Sequence, residues 1–92
     1  MTEQEYLLRM AQADTMGGHS TRPGYYEGYM RGLRRCYHGP LFGTLEEHEE
    51  WLVLAYDRDQ KKADRGRGYQ DGLQGIKPLA IRSLPAAGRS AS

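Results

Sequence analysis

The stretch "GYYEGYMRG" occupies residues 24–32 and sets Gly24, Gly28 and Gly32 four positions apart. Residues four apart lie on one face of an α-helix. Glycine inside a helix costs about 1 kcal/mol relative to alanine. Three on one stripe therefore require an offsetting contact, and a stripe without side chains permits close approach of another backbone, protein or nucleic acid. Small-residue spacing of this kind is best known between membrane helices. The chain writes Gly-Tyr-x-acid-Gly twice, as "GYYEG" (24–28) and "GYQDG" (68–72). The second copy reads as a degenerate duplicate or as a separate helix with the same packing need.

Outward from the ladder, a helix is expected from about Pro23 to Cys36, with Tyr25, Tyr29, Leu33 and Cys36 on one stripe. Upstream, Thr2 with Glu5 forms a capping box that starts a helix near residue 3. Its apolar stripe is Tyr6, Leu7, Met10 and Ala11 with Asp14, and Gly17-Gly18 should stop it. Ser20 or Thr21 is the expected next N-cap, with Pro23 in the first turn.

Downstream, "CYHGPLFG" reads as a connector, because Gly39, Pro40 and Gly43 break helices. Thr44 with Glu47 is a second capping box, and Glu46, Glu47, Glu49 and Glu50 load the positive end of the helix dipole. Leu45, His48, Leu52, Ala55 and Tyr56 form an expected apolar face, with Trp51 beside it to anchor the helix pair. This helix is expected to reach about Ala63 and to be weakened or broken at "RGRG" (65–68), before a short helix at "YQDGLQG". The expectation is an all-α fold. Three or four short helices form one domain over 1–76, and a flexible, disordered tail follows over 77–92.

Ninety-two residues make one small domain with a thin core. Seven of the nine aromatic residues are tyrosines, which pack a ring while keeping a polar tip for water or a partner. One cysteine, Cys36, rules out an internal disulfide and fits a reducing cytoplasmic setting. The longest apolar run, "WLVLAY" (51–56), is far short of a membrane span, and "MTEQEYLL" lacks the pattern of a signal peptide. Net charge is +1 but sorted: residues 45–59 carry −5 and residues 60–92 carry +5.

Catalysis and metal binding find little support. Cys36, His38 and His48 offer three ligands where structural zinc takes four, and His19 is remote. No Ser-His-acid set, phosphate-cradling loop with a lysine, or paired-carboxylate cleft is present, so no enzyme, metal or cofactor is expected. The arginines carry more. Arg31, Arg34 and Arg35 crowd one turn beside Tyr37, and Arg65 and Arg67 flank Tyr69. Guanidinium groups with interleaved rings suit RNA phosphate and base stacking, with Tyr25 and Tyr37 as stacking rings. They suit an acidic protein surface equally, and a solvated basic face answering helix 45–59 is the plainer alternative. Expected partner-binding residues are thus Tyr25, Gly28, Arg31, Arg34, Arg35, Tyr37, Arg65 and Arg67.

"GYYEGYMRG" followed by "GTLEEHEEWL" resembles the ribosome modulation factor family, which includes CrpP-type proteins. The resemblance runs over about residues 22–56, through Gly24, Tyr25, Gly28, Cys36, Pro40, Gly43, Thr44, Leu45, Trp51 and Leu52. The family pattern continues with Gly-Trp after that Trp, where this chain has Val53-Leu54-Ala55. The resemblance implies two short helices joined by an ordered connector, and association with ribosomal RNA or the ribosome to down-regulate translation. CrpP-type members are linked to ATP-dependent modification of fluoroquinolones. The other expectation is a protein-binding inhibitor or accessory protein on a host complex, as phage-encoded anti-defence proteins are. There the same arginines or the acids Glu46, Glu47, Glu49 and Glu50 would make the contact. A homodimer through the glycine ladder is a further expectation.

Overall fold

The computed structural model describes residues 1–78, and its elements are helical throughout. Helix α1 spans Glu3–His19, α2 Pro23–His38, α3 Leu45–Leu54 and α4 Gln60–Leu73, with one 3-10 turn at Gly39–Leu41. This is the expected small all-α bundle. The tail read over 77–92 lies outside the described residues from 79 onward. Within them, Pro78 is fully buried, so the packed domain extends past residue 76.

Both capping boxes form. Thr2 Oγ1 accepts from the Glu5 amide, and Glu5 accepts from the Thr2 amide, each at 3.1 Å. Thr44 and Glu47 repeat the arrangement at 3.1 Å in both directions. Helix α2 starts differently from expectation. Its N-cap is Arg22 with no side-chain cap, and Ser20 Oγ instead accepts from the Arg22 amide at 2.9 Å. Pro23 at the first helical position has no N–H to satisfy, and the Tyr25 amide bonds the Arg22 carbonyl at 3.2 Å.

Two boundaries differ further. Helix α1 runs through Gly17-Gly18 to His19, and Gly17 lies against the Tyr26 side chain of α2. Helix α3 stops at Leu54 rather than near Ala63. Asp59 then caps a new helix, its carboxylate accepting from the Lys62 amide at 3.2 Å. "RGRG" does not break α4 but lies inside it, because Gly66 and Gly68 are faces on which neighbouring backbone rests.

The two glycine-tyrosine copies are each other's partner. A Cβ on Gly28 would overlap the carbonyl oxygen of Arg65, and one on Gly32 would overlap that of Tyr69. Reciprocally, a Cβ on Gly68 would overlap the Tyr25 carbonyl, and one on Gly72 the Tyr29 carbonyl. The paired residues ascend together along both helices, so α2 and α4 run parallel. Carbonyls this close to glycine Cα atoms permit weak Cα–H···O contacts, and the helices gain dispersion along their whole contact. Those gains offset the low helix propensity of the glycines. Parallel neighbours need a return path the length of the first helix. Residues 39–59 provide it, with α3 inside and positive-φ turns at Gly39 and Gly43.

The core is tyrosine-rich. Tyr6 and Ala13 of α1 meet Tyr25, Tyr26, Tyr29 and Leu33 of α2, with Met10, Met16, Met30 and Tyr37 around them. The stripe of α1 is therefore Tyr6, Met10 and Ala13, whereas Leu7, Ala11 and Asp14 face solvent. Cys36 is likewise exposed rather than on the core stripe of α2. Two of the buried phenols of α2 find acceptors: Tyr29 Oη donates to the Ile76 carbonyl at 2.6 Å, and Tyr25 Oη to Asp71 at 2.5 Å.

Candidate functional site

The sequence-predicted residues separate into three groups. Tyr25 and Gly28 are internal, Tyr25 at 6% exposure and Gly28 against the Arg65 backbone. Neither is placed to meet RNA or a partner. Tyr37 is half-buried and already stacked on Tyr6, centroids 4.3 Å apart and planes within 7°. The ladder homodimer also loses its surface, because α4 covers the glycine face.

The second group is held by internal partners. Arg31 lies 2.8 Å from Glu47 and projects over the rings of Trp51 and Phe42, at 4.9 and 5.8 Å. Arg35 donates to the Phe42 carbonyl at 2.8 Å. Arg65 pairs with Glu27 at 3.3 Å without hydrogen-bond geometry. Arg34 and Arg67 form the third group: both are exposed and neither has an ion-pair partner within reach among the described residues. Along α4, Arg65 and Arg67 are two residues apart and face different sides, so the five arginines do not make one patch.

What gathers instead is a junction of α2, α3 and α4. Arg31, Arg35, Phe42, Glu47, His48 and Tyr69 close around a narrow crevice with no room for even a water molecule. His48 Nδ1 and Tyr69 Oη are 2.7 Å apart, and Trp51 lies 5.8 Å from the Tyr69 ring. Burial pushes the Tyr69 phenol above its ordinary value of 10.0, so it stays protonated at neutral pH and is no base. The Thr44 cap, and secondarily Arg31, hold the Glu47 carboxyl below its ordinary range. The chemistry is that of a clasp: two guanidiniums, a carboxylate and an imidazole–phenol pair fasten α3 to the glycine helices. Trp51 anchors α3 here as expected, although it remains half-buried.

A second clasp was not legible in the sequence. Asp64, 5% exposed, accepts from Arg22 Nε at 3.1 Å and Nη2 at 2.5 Å, and from Gln60 Nε2 at 2.7 Å. These donors, Arg22 first, hold the Asp64 carboxyl below its ordinary value of 3.8 against the opposing effect of burial. The partners are forty-two residues apart, and no local pattern joins them.

The outer side of α3 is also unlike its expectation. Leu45 and Tyr56 do not join the buried face but are 67% and 83% exposed, and Val53 is 64% exposed. Glu46, Glu49 and Glu50 stand exposed among them. His48, Trp51, Leu52, Leu54 and Ala55 form the half-buried side instead. Among the described residues no group of three or more His, Cys, Asp or Glu is arranged to hold a metal ion, and no helix is long and apolar enough to cross a membrane. Compared with family models, curated proteins and solved structures, the chain matches nothing.

Proposed function

We propose that this protein acts in the cytoplasm as a non-enzymatic binding protein whose partner is another protein, as an inhibitor or accessory subunit. One observation carries the reading. Both stacking rings and three of the five guanidiniums that RNA would need are engaged within the fold, whereas large apolar side chains stand free on an acidic helix. Exposed apolar groups beside unpaired charge are what a protein interface buries. The same acids repel phosphate.

A second reading, association with ribosomal RNA or the ribosome, is supported by the resemblance over residues 22–56 and by the exposed cations Arg34 and Arg67. Helices α2 and α3, joined through the 3-10 turn at Gly39–Leu41, are also compatible with a family scaffold of two short helices and a connector. The test is capture by the tagged full chain from lysate, with and without nuclease. A stoichiometric protein retained after nuclease, without ribosomal proteins, supports the first reading. Bound material that nuclease removes, or that consists of ribosomal proteins, overturns it in favour of the second.

A further inference from the structure

We infer that the outer face of α3 is a docking surface for a basic amphipathic helix of the partner. This deepens the protein-binding reading above and rests on it. Leu45, Glu49 and Val53 follow one another at four residues on α3, which places them on one stripe, and Tyr56 stands in the turn just past its end, its amide bonded to the Val53 carbonyl at 3.1 Å. The three apolar members are exposed at 67%, 64% and 83%. At a rise of about 1.5 Å per residue the helical part of the stripe, Leu45 to Val53, is roughly 12 Å long, a match for two turns of a facing helix. An isolated exposed leucine needs no explanation, but three large apolar side chains along one short helix and the turn that ends it do.

Charge selects the occupant. Glu46, Glu49 and Glu50 are exposed along this side, and no cation of the described residues pairs with them. Glu47 points the other way and is neutralised by Arg31. The complementary surface carries Arg or Lys beside apolar residues at spacings of three and four, which is the pattern of a basic amphipathic helix. A nucleic acid fits neither the charge nor the apolar groups. A second copy of this chain fits poorly, because its helices with exposed cations, α2 (Arg34) and α4 (Lys61, Lys62, Arg67), carry no large exposed apolar residue. The exposed Leu7 and Leu8 of α1 lie among charges of both signs, Glu3, Glu5 and Arg9, so charge there selects no occupant.

The face can be probed with a blocked, fluorescein-labelled 16-residue peptide of Leu and Arg in amphipathic helical order. Anisotropy would be read against the full chain, with a Leu/Glu peptide of the same order as control. Saturable binding of the Leu/Arg peptide alone is expected. The double substitution Val53→Ser/Tyr56→Ser should weaken it about tenfold or more, as loss of central apolar anchors does. Glu46→Lys/Glu49→Lys/Glu50→Lys should abolish it. Glu3→Lys/Asp14→Lys, which makes a similar charge change on exposed positions of α1, should have little effect. All these side chains are exposed, and circular dichroism of each variant verifies the fold. Equal affinity for wild type and face variants overturns the inference. So does a dimer in light scattering that Val53→Ser/Tyr56→Ser disperses, since the occupant is then a second copy. The nuclease experiment separates the two levels. If nuclease strips everything bound, the protein-binding reading falls and this inference with it. If a nuclease-resistant partner stays on the Val53→Ser/Tyr56→Ser variant, the reading stands and this face is eliminated.

Discussion

The carbonyl oxygen of Tyr25 occupies the space that a side chain on Gly68 would require, and four residues along the Tyr29 carbonyl does the same to Gly72. Gly28 and Gly32 meet the carbonyls of Arg65 and Tyr69 in return. The two helices thus exchange the same contact, and each copy of the repeat explains the other.

Alanine in this seam should be costly. Gly28→Ala or Gly68→Ala forces a methyl group into opposing backbone, which cannot rotate away as a side chain can. Overpacking in rigid surroundings costs about 1–3 kcal/mol or more, beyond the roughly 1 kcal/mol that alanine returns in helix propensity. Gly18→Ala is the control: it lies in α1 with nothing within 4 Å of the new methyl. It should stabilise by about 0.5–1 kcal/mol. Urea denaturation followed by circular dichroism checks both signs, and destabilisation by all three substitutions would count against the seam.

The Arg22–Asp64 clasp predicts acid sensitivity. The folded-state pKa of Asp64 is depressed, so its stabilisation is present above the ordinary value of 3.8 and is lost as pH falls below it through the folded value. Asp64→Asn should destabilise by about 1–3 kcal/mol near neutral pH, less than a fully buried pair because the Arg22 side chain is half exposed. The deficit should shrink as wild type is acidified. A deficit constant from pH 6 to pH 2 would show that the charge is not what Asp64 contributes.

Alkaline pH should act through the buried phenols. Burial raises the pKa of both Tyr26 and Tyr69 above 10.0. A raised folded value means that the stabilisation is present below the unfolded value and is lost as pH rises through the folded one. Unfolding should therefore become easier above about pH 10, and Tyr26→Phe should flatten that decline. Absorbance of tyrosinate near 295 nm, followed together with helicity, would reveal whether ionisation and unfolding coincide.

Trp51 reports on the α3 clasp. Tyr69→Phe removes the hydroxyl at 2.7 Å from His48 and should cost about 1 kcal/mol. Thr44→Ala removes the N-cap of the same helix, again at about 1 kcal/mol. Both should shift Trp51 emission to the red and speed amide exchange in α3, while exchange in the α2–α4 seam changes little. Uniform acceleration over the whole chain would instead mark α3 as inseparable from the seam.

Much of the secondary structure was legible because its causes are local. The boxes at Thr2/Glu5 and Thr44/Glu47 depend on residues three apart, and Pro23 opens α2 wherever the helix later packs. The end of α3 also has a local signal, since Asp59 before Gln60-Lys61-Lys62 is an N-cap. "RGRG" predicts a break only because glycine propensity is a single-helix quantity, and at Gly66 and Gly68 neighbouring backbone supplies the compensation. The expected site dissolved for a related reason. Tyr25, Tyr37, Arg31 and Arg65 are types that bind partners, but Asp71, Tyr6, Glu47 and Glu27 reach them first.

By itself the sequence determined that the described residues are helical and where three of their four helices begin, and it pointed the glycine stripe toward another backbone. Helix periodicity, caps and propensity act over three or four residues, so they are written in adjacent letters. Which backbone fills the stripe, that the two copies run parallel, that Arg22 finds Asp64, and that Leu45, Val53 and Tyr56 are left facing water were decided only by the tertiary structure. Those outcomes depend on which of several equally apolar or equally charged faces meet across forty residues of chain, and no local pattern fixes that choice.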